Sequence, residues 1–281
     1  MVGITNKTLI AEIRRQQQLS QGIVEGQTAI STGISLTKPS DNALAWVQVS
    51  EIGKAQAQQS AWKANISYGT TRAANAEANL EQITTLLVRA QELVTSARNG
   101  SLNASGRAAI VEEMKTIRTT IDTMLTQKDY QGVPVFDDMQ SVLVPVSRGL
   151  NLAVVGTRQD VSEGIDVNGT PMSLDDIMAQ NITALESGTD ADLIASLDAI
   201  RAGQTHIVVE QAKQGVRGDR LDVIGERLTN IDLDLSERRQ GLEATDLAEV
   251  ISSVKAKLLQ LEAAQSAFAR INQQTLFDLI R

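Results

Sequence analysis

The chain has 281 residues, enough for one large domain or two ordinary ones, yet aromatic residues make up only 2% of it and cysteine is absent. A core built from Ala, Leu, Ile and Val suits long, thin helical packing better than a globule around a ligand pocket, and the lack of thiols excludes disulfides and thiolate metal sites. With 34 acidic against 26 basic residues, a net charge of -8 and no basic block, the concentrated positive patch that phosphate contact needs is missing, so nucleic acid is not an expected partner.

The first residues, MVGITNKTLIAEIRRQQQLSQ, contain no apolar run of signal-peptide length, and nowhere do ~18 apolar residues follow one another to span a bilayer. Membrane insertion is therefore not expected, and any export is expected to proceed without a cleaved signal. Leu9, Ile13, Leu19, Ile23, Ile30 and Ile34 mark a first helix with a loose apolar pattern, marginal on its own because of the internal Gly22 and Gly26. Pro39, Ser40 and Asp41 then read as the start of a second helix, since a short oxygen-bearing side chain accepts from the orphan N–H groups.

From Trp62 the series Trp62, Ile66, Gly69, Ala73, Ala76, Leu80, Ile83, Leu87, Ala90, Val94, Ala97 keeps alternating four-three spacing. That narrow seam is what two helices lying side by side require, and its small residues call for close approach in the first half. A helix from about Asp41 to Arg98 would run roughly 85 Å at ~1.5 Å per residue. The string RNGSLNASGR breaks it, and Ile110, Met114, Ile117, Ile121, Met124 and Lys128 mark a returning helix that ends near Tyr130-Gln131-Gly132. Together they predict an antiparallel hairpin.

Between Val133 and Gly188 the character changes. VPVF, SVLVPV and NLAVV are short β-branched runs divided by turn residues, read as hairpins, and MSLDDIMAQNITAL reads as a short helix. Helices resume near Asp190, with Leu221, Ile224, Leu228, Ile231, Leu235 and Leu242 in one seam. The last seam runs Leu247, Ile251, Val254, Leu258, Leu261, Gln265, Phe268, Asn272, Thr275 and Leu279, apolar first and polar later. The expected fold is mainly α: a long antiparallel helical hairpin and a bundle made from both termini, with a small β-rich central insertion. Its expected divisions are an N-terminal helix over 1–40, the hairpin over 41–132, the insertion over 133–188, a helical return over 189–245 and a C-terminal helix over 246–281.

Candidate chemistry is sparse. His206 is the single histidine, with no other His or Cys to share a metal or a proton relay, and reads as structural or surface. Asp137-Asp138, Asp175-Asp176 and Glu112-Glu113 are sequence neighbours outside any calcium-loop pattern and read as solvated charge. Gly215-Val216-Arg217-Gly218-Asp219 lacks the Gly-Lys-Ser/Thr ending of a phosphate loop, and its Arg-Gly-Asp tripeptide adjoins a helical seam. No nucleophile stands at a recognisable spacing from a base, so no enzyme, metal or cofactor is expected.

Several stretches together carry a family resemblance. They are Ser31-Thr32-Gly33 followed by Lys38-Pro39-Ser40-Asp41-Asn42, Ala97-Arg98-Asn99-Gly100-Ser101 closing a long helix, and Arg107, Ile110 and Glu113 opening the next. To these add Tyr130-Gln131-Gly132-Val133-Pro134-Val135-Phe136, Gly218-Asp219-Arg220-Leu221, and Glu243-Ala244-Thr245-Asp246-Leu247-Ala248-Glu249. With them the whole chain resembles the flagellin superfamily of bacterial flagella. The ending Ala263-Ala264-Gln265-Ser266-Ala267-Phe268-Ala269-Arg270-Ile271, then Thr275-Leu276-Phe277-Asp278-Leu279, is similar to that of the superfamily's hook-filament junction proteins; Asn272 with Leu276 keeps a trace of the filament-flagellin ending. Ile34 and Asn42 depart from the family pattern, which usually has a basic residue and a second acid there.

The resemblance implies a secreted, extracellular structural subunit of the flagellum, exported through the flagellar type III channel. It implies terminal helices that line an axial tube of identical subunits, next to a neighbouring hook-associated protein and flagellin, with an export chaperone on the C-terminal helices. The residues expected to carry assembly are Leu9, Ile13, Ile23, Ile251, Val254, Leu258, Leu261, Phe268, Ile271, Leu276 and Phe277. Filament flagellin is the alternative within the superfamily. A cytoplasmic coiled-coil adaptor is the alternative outside it, explaining the seams but not the turns or the tail.

Overall fold

The computed structural model describes residues 2–98, 103–129 and 131–278, with side chains over 10–98, 103–129 and 131–270. The chain forms α1 (Val2–Thr32), α2 (Ala43–Arg98) and α3 (Ala104–Thr126), then β1 (Leu143–Ser147) and β2 (Leu150–Ala153). After α4 (Arg158–Ser162), β3 (Ile165–Val167) and β4 (Thr170–Met172) come α5 (Leu174–Ser187), α6 (Asp190–Glu243) and α7 (Leu247–Asp278). The fold is thus mainly α with two small antiparallel hairpins, β1–β2 and β3–β4. Two compact units divide it, one made of residues 1–57 and 232–281, the other of 58–231, so α2 and α6 contribute to both.

The unit of 58–231 holds a single hydrophobic core. The Trp62–Ala97 seam is buried almost throughout, with Leu80, Ile83, Leu87, Ala90 and Val94 at 0–1% exposure. Against it pack Ile110, Met114, Ile117 and Ile121 of α3, Leu174, Ile177 and Leu185 of α5, and Ile200, Ile207 and Leu221 of α6. Gly69 permits the close approach that the small residues of the seam require: a Cβ there would sit 2.9 Å from Val154 Cγ1 and 3.3 Å from Leu221. Residues 133–188, expected as an appended insertion, are part of this core, through Phe136, Val146, Val154, Val155 and Ile165.

Buried polar side chains stitch the unit. Arg72 donates to Asp137 Oδ1 at 2.9 Å and to the Pro134 carbonyl at 2.9 Å, both side chains being all but fully buried. Asp137 Oδ2 also accepts from the Val142 N–H at 2.6 Å. Asp137 is therefore not solvated charge. Of the other carboxylate pairs, Asp175 takes a two-pronged hydrogen bond from Arg118, which holds its carboxyl below the usual range against partial burial. Asp176 closes a capping box with Ser173 at the start of α5. His206 Nε2 lies 2.8 Å from the Asp160 carbonyl oxygen, a structural role, and Arg217-Gly218-Asp219 is internal to α6.

Local chemistry decides three further features. Asn42, not Ser40 or Asp41, caps α2, its Oδ1 accepting from the Ala45 N–H at 3.1 Å. Asp41 instead accepts from the backbone of Thr37 and Lys38 and shapes the preceding loop. VPVF is not a strand; Pro134 and Asp137 make only isolated bridges, to Lys128 and Thr157. The β3–β4 hairpin turns through Asn168 and Gly169, both with positive φ, as a two-residue Asn-Gly turn demands.

Candidate assembly surface

In the unit of 1–57 and 232–281, α1 and α7 run antiparallel, because Gly26 meets Val254 while Gly22 meets Lys257. The join between them is a short clasp. Gly33, at φ +72°, ends α1 in the left-handed conformation and donates to the Ala29 carbonyl at 2.9 Å. Ser35 N–H donates to Glu243 O at 2.8 Å, and Thr245 N–H to Gly33 O at 3.0 Å, bridging Ile34 with Ala244. Lys38 closes the side of the loop on Glu25 at 2.8 Å, and that hydrogen bond raises its pKa above the ordinary lysine value.

The face that α7 turns inward is Val250, Val254, Lys257, Leu261, Ala264 and Phe268, all buried or half-buried. The expected seam through Leu247, Ile251, Leu258 and Gln265 shares only Val254, Leu261 and Phe268 with it. Both stripes have four-three spacing and both are largely apolar, so periodicity does not choose between them. Packing does: the aliphatic stem of Lys257 lies on Gly22, within 3.4 Å of where a Cβ would stand, and its ammonium reaches the Gly22 carbonyl at 3.5 Å. On α1 the facing stripe is Gln16, Leu19, Ile23, Gly26 and Ile30.

The residues expected to carry assembly therefore separate into two sets. Ile23 and Val254, each 7% exposed, pack within the pair, joined by the half-buried Leu261 and Phe268. Ile13, Ile251 and Leu258 are exposed, at 42%, 39% and 46%. The side chains of Leu9, Ile271, Leu276 and Phe277 lie outside the described residues, as does Leu279 altogether.

Gly26 is the tightest point of the pair, since a Cβ there would stand 2.3 Å from Val254 Cγ2. Gly26→Ala gains at most ~1 kcal/mol of helix propensity, against an overpacking cost of about 1–3 kcal/mol. Faster hydrogen exchange along residues 15–30 is expected, with partial recovery when Val254→Ala is added. Unchanged exchange in Gly26→Ala would show that the helices do not approach this closely.

What distinguishes this unit is how little it buries. Among its described residues only Ile23, Leu36, Ala45 and Val254 are buried apolar side chains. Against them stand Ile10, Ile13, Val24, Ile34, Leu44, Val47, Leu233, Leu247, Ile251, Leu258 and Leu259, all exposed.

Residues 5–141 match the bacterial flagellin N-terminal helical region. The chain is 25% identical over 306 residues to flagellar hook-associated protein 3 of Escherichia coli (strain K12), with 94% of this chain and 96% of the relative aligned. It is 24% identical over 289 residues to the protein of the same name from Salmonella typhimurium, covering 90% and 91%. The crystal structure of flagellar hook associated protein-3 from Legionella pneumophila shares the fold, with a TM-score of 0.60 at 13% identity over 69% of this chain and 98% of that one.

Proposed function

We infer that this chain, a member of the bacterial flagellin superfamily, is a structural subunit of the flagellum that joins the hook to the filament. It works outside the cell, as an exported component of that organelle. The observation that carries the reading is the imbalance in the unit of 1–57 and 232–281, where, among the described residues, four buried apolar side chains are set against eleven exposed ones. Burial is the main favourable term in folding and association, so such a unit reaches full stability only when neighbours cover it.

Assembly then follows from geometry and needs no catalytic group. Identical subunits meeting head to tail, through contacts that do not close on themselves, generate a helical tube. Ile13, Ile251 and Leu258 face those neighbours, while Ile23 and Val254 hold the helix pair that presents them. A neighbouring hook-associated protein on one side and flagellin on the other are the partners this position requires. An export chaperone covering α7 would protect the same face before assembly.

Immunogold labelling of isolated flagella with antibodies to the purified chain separates the junction role from that of bulk filament. Label confined to the hook end is expected. Label along the whole filament would identify a filament subunit instead.

A further inference from the structure

The unit of 1–57 and 232–281 also contains an open groove of about 610 Å³. One wall is the first part of α2 and the other is the last part of α6. Ile52 and Ala55 face Leu235 and Leu242 across its floor, all four half-buried, while Glu51 and Arg238 stand on opposite rims. Neither rim residue has an ion-pair partner among the described residues. The groove is thus an apolar slot with one free charge of each sign.

A surface of matching pattern lies on the outward side of α7. Leu258 and Leu259 are 46% and 72% exposed. Lys255 and Glu262, three before and three after this pair, are exposed and likewise unpaired among the described residues. Residues three and four apart share a helix face, so the four make one patch, apolar at the centre and oppositely charged at its ends. Lys255 and Glu262 stand ~10 Å apart along the axis, close to the ~8–10 Å between packed helices such as those that wall the groove.

We propose that the Leu258-Leu259 knob of one copy seats in the Ile52-Leu235 groove of a second copy, with Lys255 meeting Glu51 and Glu262 meeting Arg238. The proposal rests on the assembly reading above and names the surface and the partner for it. Knob and groove are different surfaces of one chain, so the contact is heterologous. Each copy that accepts a knob still offers its own, and the contact propagates.

The absence of native cysteine makes a direct test clean. In cells whose only copy of the chain carries both Ala55→Cys and Leu259→Cys, flagella are isolated, oxidised and run on denaturing gels. Covalent dimers and longer ladders are expected, and neither single-cysteine chain should give the ladder. A double-cysteine chain present in flagella at wild-type amount but running only as monomer overturns the proposal.

A charge exchange provides a second arm should the cysteines disturb assembly. Arg238→Glu alone is expected to lower incorporation into flagella at least fivefold, and adding Glu262→Arg should restore it. Normal incorporation of Arg238→Glu, or no recovery in the double variant, overturns the pairing. Absence of the unsubstituted chain from flagella would defeat the assembly reading itself, and this proposal with it.

Discussion

Asp137→Ala is expected to lower the stability of the 58–231 unit by about 3–5 kcal/mol, the cost of stranding one member of a buried ion pair. Arg72 and Asp137 are 6% and 2% exposed at their side chains, so water cannot replace the lost partner. The carboxylate also accepts from the Val142 N–H, which loses its acceptor too. The Pro134 carbonyl and the face of the Tyr68 ring, 6.0 Å away, would still hold the guanidinium, and neither carries a countercharge. Trp62 packs against this core and Trp46 belongs to the other unit, so urea unfolding followed by fluorescence in a Trp46→Phe background reads the 58–231 unit alone. Pairing Asp137→Leu with Arg72→Met should recover the part of the loss due to the stranded guanidinium, while the Val142 N–H still lacks its acceptor. A loss below about 1 kcal/mol for Asp137→Ala would show that the pair is hydrated.

Leu258→Glu is expected to abolish incorporation into flagella while leaving the purified chain as helical as before. Leu258 is 46% exposed and off the inward face of α7, so a charge there costs the isolated chain little. In an assembled tube the same carboxylate would be buried without a partner, at a cost of about 3 kcal/mol, which weakens each contact roughly a hundredfold. Val254→Glu makes the contrast, since Val254 is buried between α1 and α7 and its loss should unfold the pair before assembly is attempted. Wild-type incorporation of Leu258→Glu would remove the outward face of α7 from the assembly surface.

The parts of the fold that could be read in advance are those set by local repetition. The Trp62–Ala97 seam lies buried almost along its length because a heptad spacing held over eleven positions leaves a helix only one face to bury. The same spacing failed on α7, where both stripes are apolar enough and only the glycines of α1, more than 200 residues away, decide which is covered. Asp137 looked solvated because its partner is 65 residues upstream on α2. The β3–β4 hairpin did carry a readable signal in Val167-Asn168-Gly169-Thr170, an Asn-Gly pair between short extended runs, and went unread beside the longer apolar runs.

Four-three spacing marked α7 as a helix and missed the side of it that turns toward α1. Exposure of Ile251 and Leu258 is what a subunit awaiting neighbours should show, whereas a self-sufficient bundle would have buried them. Family resemblance in the turns and tail pointed to the organelle; the shortage of buried apolar side chains among the described residues of the 1–57 and 232–281 unit is the physical ground on which assembly through this unit is proposed.

Limited proteolysis of the same chain in two states tests that reason most directly. In the purified free chain, cuts within residues 10–57 and 232–270 are expected well before any within 58–231, since opening frequency tracks local stability. In isolated flagella the early sites should be protected and the 58–231 unit should resist as before. Equal resistance of both units in a monodisperse free chain would contradict it, for the terminal unit would then be stable without neighbours.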